Sequence, residues 1–461
     1  MSNAEEVKVS LKVMMNKEKS KVLYAESDSH FADIVLSFLT LPLGRIVKVL
    51  EKHYGDDAPT IGSLHNLYHC LANFDSSHFV TEGAKQALLY SASSFEAEYR
   101  MLKVDISDSP PAEYFFCADC DDNAFRCESI YYDVIDCTFY GNMMIKVVGK
   151  IYEADAPSDG VLTKHTSSFL ISNDLHLLPK DARFVTTIGI LGITATDMDN
   201  AESIKVDFGL SEIMKLFKAS LTSPTPLSDL ILNKTTAQMN NTPVVGSQQN
   251  EDKRYYGDVS LNVIVQKSTG KLLCVQANEK FVESLFNLLS IPLGRVEHLL
   301  AGDTCFKAVN NLYRSTVDLI DNEHFKNARA RNRVKEPSVP HGCMSRNLYI
   351  LGITEDWPWY MNNDNKNNNS VMFPEGKGIY LQGPRSYIVK DDLTVEPYCF
   401  VTLLSRFREL KIPASDLEEV ELKMGKKEVL SILKASLTST TVLSDALLTL
   451  LPKKQPKREE L

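Results

Sequence analysis

The sequence predicts an α+β protein built from two tandem homologous domains, each a β-hairpin plus helices around a small mixed sheet. Three observations predict this class. The stretch Leu39–Arg45 returns as Leu289–Arg295. Residues 9–50 align with residues 259–300 without a gap, and 14 of these 42 paired positions are identical. Within both blocks the apolar spacing changes from the period of a strand to that of a helix.

A second repeated block closes each half. Lys218–Ser223 returns as Lys434–Ser439, and Ser168–Ile171 is matched by Ser386–Val389. The repeat is far longer than the roughly 20–50 residues of a solenoid unit, so whole domains are duplicated. The predicted organisation is a first repeat domain over residues 7–232 with a cysteine-containing insertion at about 114–150, a linker over 233–257, a second repeat domain over 258–452 and a polar tail over 453–461.

Composition limits the class of protein. The chain has 461 residues, 44% of them hydrophobic and 24% charged, as in globular proteins of two domains. A net charge of −10 argues against bulk binding to nucleic acid or to an anionic membrane. We find no apolar run near the ~20 residues of a membrane span and no signal peptide. The nine cysteines are therefore expected to be reduced thiols or metal ligands, in the cytoplasm or the nucleus.

Each domain is predicted to open with a hairpin. Apolar and polar residues alternate from Val9 to Met15, which is typical of a half-buried strand. Val22–Ala25 is the expected returning strand. A helix follows, because apolar residues recur at i, i+3, i+4 and i+7 from Phe31, with Asp28 or Ser29 as the N-cap.

The repeated motif predicts a helix–breaker–helix corner. Pro42 ends the first helix, since proline disfavours a helical residue before it. Gly44 is expected to supply a flexible joint, and Arg45 to begin the next helix. The alternative interpretation is an anion site, made by Arg45 and the free amides of a helix start, although a phosphate-cradling loop is missing.

Two histidines lie at matching places in the halves. His78–Phe79 corresponds to His324–Phe325. A His-Phe pair at the edge of a domain is typical of packing with a surface hydrogen bond, and catalytic use is the alternative.

The cysteine segment has the only pattern with a metal-ligand logic. Two thiolates spaced as Cys117 and Cys120 on a turn grip one tetrahedral ion, while Cys127 and Cys137 lie on strands expected nearby. The candidate ligands are therefore Cys117, Cys120, Cys127 and Cys137, and the implied cofactor is structural zinc. Residues that could complete the set are Cys70, His69 and His165.

Two alternatives to zinc remain for this segment. Reduced cysteines in a β-rich segment behave as small hydrophobic residues. A redox Cys-x-x-Cys pair is the other alternative, but the βαβ context of thioredoxin-like proteins is missing.

Searches for other chemistry find no GxGxxG, Walker, HExxH or GxSxG motif, and no pair of acidic residues suited to acid–base catalysis, so no catalytic residue is predicted. Trp357 and Trp359 form either a contact patch or a packed turn. The run Lys453–Arg458 is a nuclear import signal or a solvated charge run. The serines of the closing blocks are phosphorylation sites or helix-end hydrogen-bonding groups: Ser220, Ser223, Ser436 and Ser439.

Four stretches carry a family resemblance, and both halves show them: Leu11–Glu26, Ser37–Gly44, Ser168–Leu175 and Leu216–Ser223. With these, the chain resembles a plant-specific family of uncharacterised proteins, domain of unknown function 674, in two tandem copies. Members of that family share a cysteine segment with an early pair and a later Cys-x-Cys-Gly. Cys117 and Cys120 fit the early part, whereas Cys137–Gly141 lacks the second cysteine of the later part. The resemblance implies no activity.

Together these observations favour a non-catalytic protein-interaction or scaffold protein with structural zinc in the first domain. The halves share apolar patterning and turn chemistry, while the candidate ligands occur in only one of them. The alternative is an enzyme or a small-molecule-binding protein that uses the cleft between the two domains. The expected partner is another protein, and the sequence leaves its identity and the oligomeric state open.

Overall fold

The structure is a computed structural model. It describes residues 7–16, 18, 20–109, 113–120, 125–147, 160–199, 201–232, 259–319, 324–343, 345–356, 370–372 and 379–448. The predicted linker, the polar tail and the two tryptophans lie outside the described residues.

Strands and helices alternate irregularly along the first half. Its strands are β1 (Val9–Met15), β2 (Val22–Asp28), β3 (Phe115–Cys117), β4 (Phe125–Ser129), β5 (Met144–Val147), β6 (Ser168–Ser172), β7 (Leu177–Pro179) and β8 (Glu202–Phe208). Its helices are α1 (Ser29–Ser37), α2 (Leu43–Tyr54), α3 (Leu64–Asn73), α4 (Glu82–Leu89), α5 (Glu96–Met101), α6 (Phe184–Leu191), α7 (Ala195–Met198), α8 (Leu210–Thr222) and α9 (Pro226–Ile231).

The second half repeats much of this order. Its strands are β9 (Ser260–Gln266), β10 (Leu272–Asn278), β11 (Val339–Pro340), β12 (Glu355–Asp356), β13 (Ser370–Met372), β14 (Ser386–Val389), β15 (Val395–Pro397) and β16 (Leu417–Lys423). Its helices are α10 (Glu279–Leu288), α11 (Leu293–Leu299), α12 (Lys307–Asp318), α13 (Ala328–Lys335), α14 (Arg346–Ile350), α15 (Phe400–Glu409), α16 (Lys426–Thr438) and α17 (Val442–Leu447).

Each half builds one five-stranded sheet, and the two sheets have the same strand order. That order is β7-β6-β2-β1-β8 in the first half and β15-β14-β10-β9-β16 in the second. The predicted α+β class and the duplicated hairpin-plus-helix plan are thereby confirmed.

The strands of both five-stranded sheets pair antiparallel throughout, where the sequence analysis expected mixed sheets. Each sheet contains two hairpins, β1-β2 with β6-β7 and β9-β10 with β14-β15, whose short turns allow only antiparallel pairing, and the strands between and beside the hairpins pair antiparallel as well. A mixed sheet does occur in the cysteine segment. Its order is β13-β4-β3-β5, and β13 of the second half pairs parallel to β4 of the first.

Two local predictions for the opening block are confirmed. Strand β1 alternates buried and more exposed residues. Asp28 caps α1 by accepting from the Phe31 N–H at 3.1 Å, and Asn278 caps α10 in the same way at Phe281. The predicted start of the next helix at Arg45 is wrong by two residues, because α2 begins at Leu43.

The sequence also predicts Ser228 and Ser444 as the N-caps of short helices that close each half, and this prediction is wrong. Ser228 and Ser444 lie inside α9 and α17 rather than before them. Their N–H groups instead donate to Asn173 Oδ1 at 2.8 Å and to Asp391 Oδ1 at 2.7 Å. A side chain from a distant turn thus satisfies an amide that a helix start leaves unpaired.

The two copies of the corner motif pack against each other. The Leu43 N–H donates to Ile291 O at 3.0 Å, and the Leu293 N–H donates to Leu41 O at 2.9 Å. Pro42 and its counterpart in the second copy face each other across this antiparallel bridge. The same contact is therefore made twice, once from each copy to the other. Such reciprocal contacts are typical of a two-fold arrangement, which here lies within one chain.

Beyond the corner, the halves exchange helices. From the first half, α3 packs on the second: its Asn66 side chain donates to Asp392 O at 3.3 Å. From the second half, α12 packs on the first: its Asn311 side chain donates to Asp174 O at 3.0 Å. One large hydrophobic core therefore runs through both halves.

Candidate metal centre and interaction surface

Three of the four predicted metal ligands converge. The sulfur atoms of Cys117, Cys120 and Cys137 all lie within 4.8 Å of one another, and those of Cys120 and Cys137 are 3.5 Å apart. Cys127 is buried and its thiol is hydrogen-bonded to that of Cys137, but it is not part of this trio. Cys127 lies on β4 as expected, whereas Cys137 precedes a turn rather than lying on a strand.

Tight turns direct these thiols towards each other. The Cys120 N–H donates to Cys117 O at 3.1 Å, and the Gly141 N–H donates to Cys137 O at 2.8 Å. Gly141 has φ +71°, a conformation that glycine adopts without strain. The Cys137–Gly141 stretch therefore closes a turn one residue longer than that of Cys117–Cys120, although it lacks a second cysteine.

The thiols differ in acidity. Burial raises the pKa of Cys120 to about 12, and burial also raises the pKa of Cys127. Burial acts the same way on Cys137, but hydrogen bonds from the N–H groups of Tyr140 and Phe139 and from the neighbouring thiols lower the pKa of its thiol overall. The surroundings of Cys137 thus stabilise its anionic form more than those of Cys120 or Cys127 do.

The cluster has its own small core. Seven buried residues form it, and four are cysteines: Phe115, Cys117, Cys120, Cys127, Ile135, Cys137 and Met144. Helix α4 holds this segment through Thr81, whose hydroxyl donates to Asp133 O at 2.6 Å, and through Gly83, where a Cβ would lie 1.9 Å from Tyr132 O. The segment is therefore packed on the first half and joined by a strand of the second.

Arg45 is buried rather than presented to an anion. Its guanidinium lies 2.6 Å from Glu96 and donates to Ser109 at 2.8 Å. Its counterpart Arg295 contacts Glu336 and the carbonyl of Gly352. Both charges are already paired, which favours the structural interpretation of the motif.

The matching histidines lie at the exchange contacts. His78 Nδ1 is 3.1 Å from the Tyr387 hydroxyl, and His324 Nδ1 is 3.3 Å from the Ser167 hydroxyl. Both contacts join one half to the other. They favour the packing interpretation of these two histidines.

The serines of the closing blocks are mostly enclosed. Ser220, Ser223 and Ser436 are buried. The Ser220 hydroxyl donates to Phe217 O and that of Ser436 to Leu433 O, each at 2.7 Å. These contacts favour helix hydrogen bonding over phosphorylation.

Sequence reasoning missed two buried carboxylates at equivalent positions. Asp33 accepts from the N–H groups of Val161 and Thr163, at 2.9 and 2.8 Å. Glu283 accepts from those of Tyr380 and Leu381, at 2.8 and 3.1 Å. Burial raises the pKa of Asp33 to about 6 and that of Glu283 to about 7. Because the two residues differ in type, identity matching overlooks them.

These carboxylates hold two straps, which we define as residues 161–164 and residues 380–382. Each strap pairs with the other half. The Lys164 N–H donates to His324 O, and the Gln382 N–H donates to His78 O, each at 2.8 Å. From within the core, the two carboxylates therefore stabilise the straps that pair with the opposite half.

In each half, a helix that begins with exposed apolar residues follows the second hairpin of the sheet. Helix α6 begins with Phe184 and Val185, whose exposures are 75% and 82%, and none of its residues is buried. Helix α15 begins with Phe400 and Val401, at 64% and 68%. Contiguous exposed apolar surface marks interaction sites, whereas single exposed apolar residues are ordinary.

The two helices cover their sheets differently. Leu403 and Phe407 of α15 pack on Ile264, Cys274 and Ile388, whereas α6 places no buried residue on its sheet. The Phe-Val-Thr repeat at the start of both helices, residues 184–186 and 400–402, was visible in the sequence at the same offset as the closing block. It was missed because three residues are too few to stand out alone.

A groove between the halves runs beside α3. It is lined by Asn66, His69, Cys70 and His78 of the first half and by Val395 of the second, among others. Cys70 is already engaged, since its thiol donates to Val395 O at 3.2 Å and accepts from the Val395 N–H at 3.3 Å. Burial lowers the pKa of His78 and raises that of Cys70.

Among the described residues, every helix is too short or too polar to cross a lipid bilayer. Comparison with curated proteins and with solved structures gave no match. The model of the family described as a protein of unknown function, DUF674, matches residues 5–372 and again residues 359–460. The plant-specific distribution implied by the resemblance stays a prediction. Since the two matches together span most of its length, the chain belongs to the DUF674 family.

Proposed function

We propose that this protein is a non-catalytic interaction protein that binds a protein partner through the first turns of α6 and α15, with structural zinc in its cysteine cluster. The observation that carries the proposal is the exposure of one Phe-Val pair at the start of the equivalent helix in both halves. The rest of the two helices differs, so packing alone does not explain the shared pair.

The occupant is a polypeptide rather than a lipid surface. The chain carries a net charge of −10, which disfavours approach to anionic lipid. Each Phe-Val pair is a small patch of the kind that forms the apolar centre of a protein interface. Two equivalent patches give two binding sites per chain.

Zinc suits the cysteine cluster because the donors are soft and their spacing is short. Three sulfur atoms within 4.8 Å of one another, with a fourth beside them, match the thiolate sets that hold zinc. The cluster's own core has only seven residues, so its apolar burial contributes little. A bound ion would add to the stabilisation that packing on the first half provides.

The alternative is an enzyme or small-molecule binder that uses the groove between the halves, and the residues of that groove favour it less than the exposed helices favour a protein partner. Its Asn66 and Cys70 are occupied in contacts across the groove. The carboxyl groups whose pKa burial raises most are those of Asp33, Glu283 and Glu297, and none of these residues lines the groove.

Photo-crosslinking tests the interaction. A photoreactive phenylalanine analogue placed at Phe184 or at Phe400 in cells of the source organism is expected to capture the same polypeptide from both positions. The exposed aromatic Tyr90 is the control position. Purified partner should then bind wild type with an affinity that F184S/V185S or F400S/V401S weakens by more than about tenfold. Capture of a second copy of this chain, or of nothing beyond the Tyr90 control, would contradict the proposal.

Metal analysis tests the zinc. Protein purified after metal-replete expression should contain zinc that C120S loses while C399S, at an exposed cysteine outside the cluster, retains it. Less than about 0.2 zinc per chain would exclude a structural role.

A further inference from the structure

A second group of metal-ligating side chains lies away from the cysteines, where α2 meets α3. Glu51 is in the last turns of α2, and His65 and His69 are one turn apart on α3, so both histidines share a face. The Nε2 atoms of both rings lie 2.7 Å from the same oxygen of Glu51. All three ligand atoms lie within 4.8 Å of one another.

We propose that Glu51, His65 and His69 form a second metal site, which binds a divalent transition ion such as Zn²⁺ and leaves one coordination position open to solvent. Two imidazoles and one carboxylate are the ligand set of zinc sites that keep an open position. This inference does not depend on the cysteine cluster or on the exposed helices.

The geometry admits an ion after a small movement. Bonds of about 2.1 Å in a tetrahedral arrangement place two ligand atoms about 3.4 Å apart. The 2.7 Å contacts therefore need to open by less than about 1 Å. Glu51 makes both contacts, so rotation about its side-chain torsions, together with those of the half-exposed His69, provides this movement without a shift of the backbone.

The open position faces the groove between the halves, because His69 lines that groove beside Asn66 and Asn73. His65 and Glu51 are more enclosed, with side-chain exposures of 19% and 24%. The site is thus anchored on its inner side and accessible on its outer side.

The fold itself does not require these three residues. In the second half, α12 carries Asn310 and Arg314 in place of the two histidines. Ala301, which lies in the turn after α11, stands at the position of Glu51. There the Asn310 side chain donates to Gly302 O at 2.9 Å. The helix pair therefore packs without a His-Glu-His cluster, so packing does not account for it.

Titration with Zn²⁺ and Co²⁺ tests the site. H65N installs the residue of the second half. H65N, E51Q and H69A are each expected to weaken metal binding at this site by at least the roughly 10–100-fold that loss of a supporting group costs. H53A is the matched control, because His53 lies exposed on the same helix α2 outside the cluster and should leave binding unchanged.

The Co²⁺ absorption spectrum separates the two sites. Thiolate ligands give an intense near-ultraviolet charge-transfer band, which C120S should remove and H65N should leave in place. Circular dichroism confirms the folding of each variant. Equal affinity and stoichiometry in wild type, folded H65N and E51Q would overturn the second site, and would identify the cluster as an ordinary ion pair.

Discussion

At the residue scale, two glycines govern how closely the halves approach. A Cβ on Gly44 would lie 3.1 Å from Leu289 Cβ and 3.2 Å from its carbonyl oxygen. A Cβ on Gly294 would lie 3.0 Å from both the Cβ and the carbonyl oxygen of Leu39. The prediction of a flexible joint at Gly44 is therefore wrong. The glycine is needed for contact in the first turn of a helix, with an ordinary helical backbone.

We expect G44A and G294A each to lower the free energy of unfolding by about 1–3 kcal/mol, because the added methyl overpacks a closed contact. The measurement is urea denaturation. G189A is the control, since Gly189 lies in α6 with no atom within 4 Å of an added Cβ, and alanine there should stabilise by about 0.5–1 kcal/mol. Wild-type stability of both corner variants would contradict the close-packing argument.

A buried carboxyl in α11 predicts a pH dependence. Burial raises the pKa of Glu297 to about 8, and its Oε1 accepts from the Thr304 hydroxyl at 2.6 Å. The folded protein keeps this proton between the ordinary value of 4.5 and about 8, while the unfolded chain releases it. The contribution of Glu297 to the free energy of unfolding therefore falls as the pH rises through that window.

E297Q removes this titration, so its stability relative to wild type should rise by about 3 kcal/mol between pH 5 and pH 8. Denaturant unfolding at several pH values measures the difference. E409Q, at an exposed carboxyl of α15, should run parallel to wild type. A constant difference between E297Q and wild type would show that Glu297 does not titrate in this range.

At the element scale, α1 and α10 each carry a carboxylate that fastens a strap. The positions correspond at the offset of the opening block, and both side chains accept from two strap amides. The straps in turn pair with the segment that crosses over from the other half. A polar residue inside an otherwise apolar helix face thus serves tertiary pairing rather than helix formation.

D33A and E283A should each lower the free energy of unfolding by about 2–4 kcal/mol, because buried N–H groups lose their acceptor. Hydrogen exchange should accelerate at residues 161–163 in D33A and at residues 380–381 in E283A. E18A, at an exposed position in the first hairpin, is the control. Faster exchange spread evenly over the whole chain would contradict a local fastening role.

At the scale of the whole molecule, the chain resembles a two-fold dimer whose subunits are covalently joined. The corner motifs meet near the axis, and α3 and α12 cross it in opposite directions. The domain limits 7–232 and 258–452 stay a prediction of how the sequence is divided. The hydrophobic core runs across that division.

We therefore expect the halves to remain associated after cleavage of the predicted linker. A protease site inserted within residues 233–257 should yield two fragments that co-elute with uncut protein on gel filtration at low micromolar concentration. The same fragments should separate in denaturant, which serves as the control for complete cleavage. Separation under native conditions would show that the shared core contributes little to association.

Whether a feature could be predicted depends on how far apart in the sequence the residues that form it lie. The hairpins, the cap at Asp28 and the breaker at Pro42 depend on residues close together in sequence, so periodicity and turn chemistry predicted them. The convergence of Cys137 on Cys117 and Cys120 was predicted from residue type alone. Its turn geometry was not, since that depends on Gly141 and on packing against α4.

The sequence by itself determined the duplication, the strand and helix order of the opening blocks and the candidate cysteines, because neighbouring residues encode local structure. Only the tertiary structure decided that the two copies of the motif pack on each other, that α3 and α12 change halves, and that Glu51 meets His65 and His69. Such contacts join residues whose relative placement depends on the packing of the whole core, and no local pattern records it.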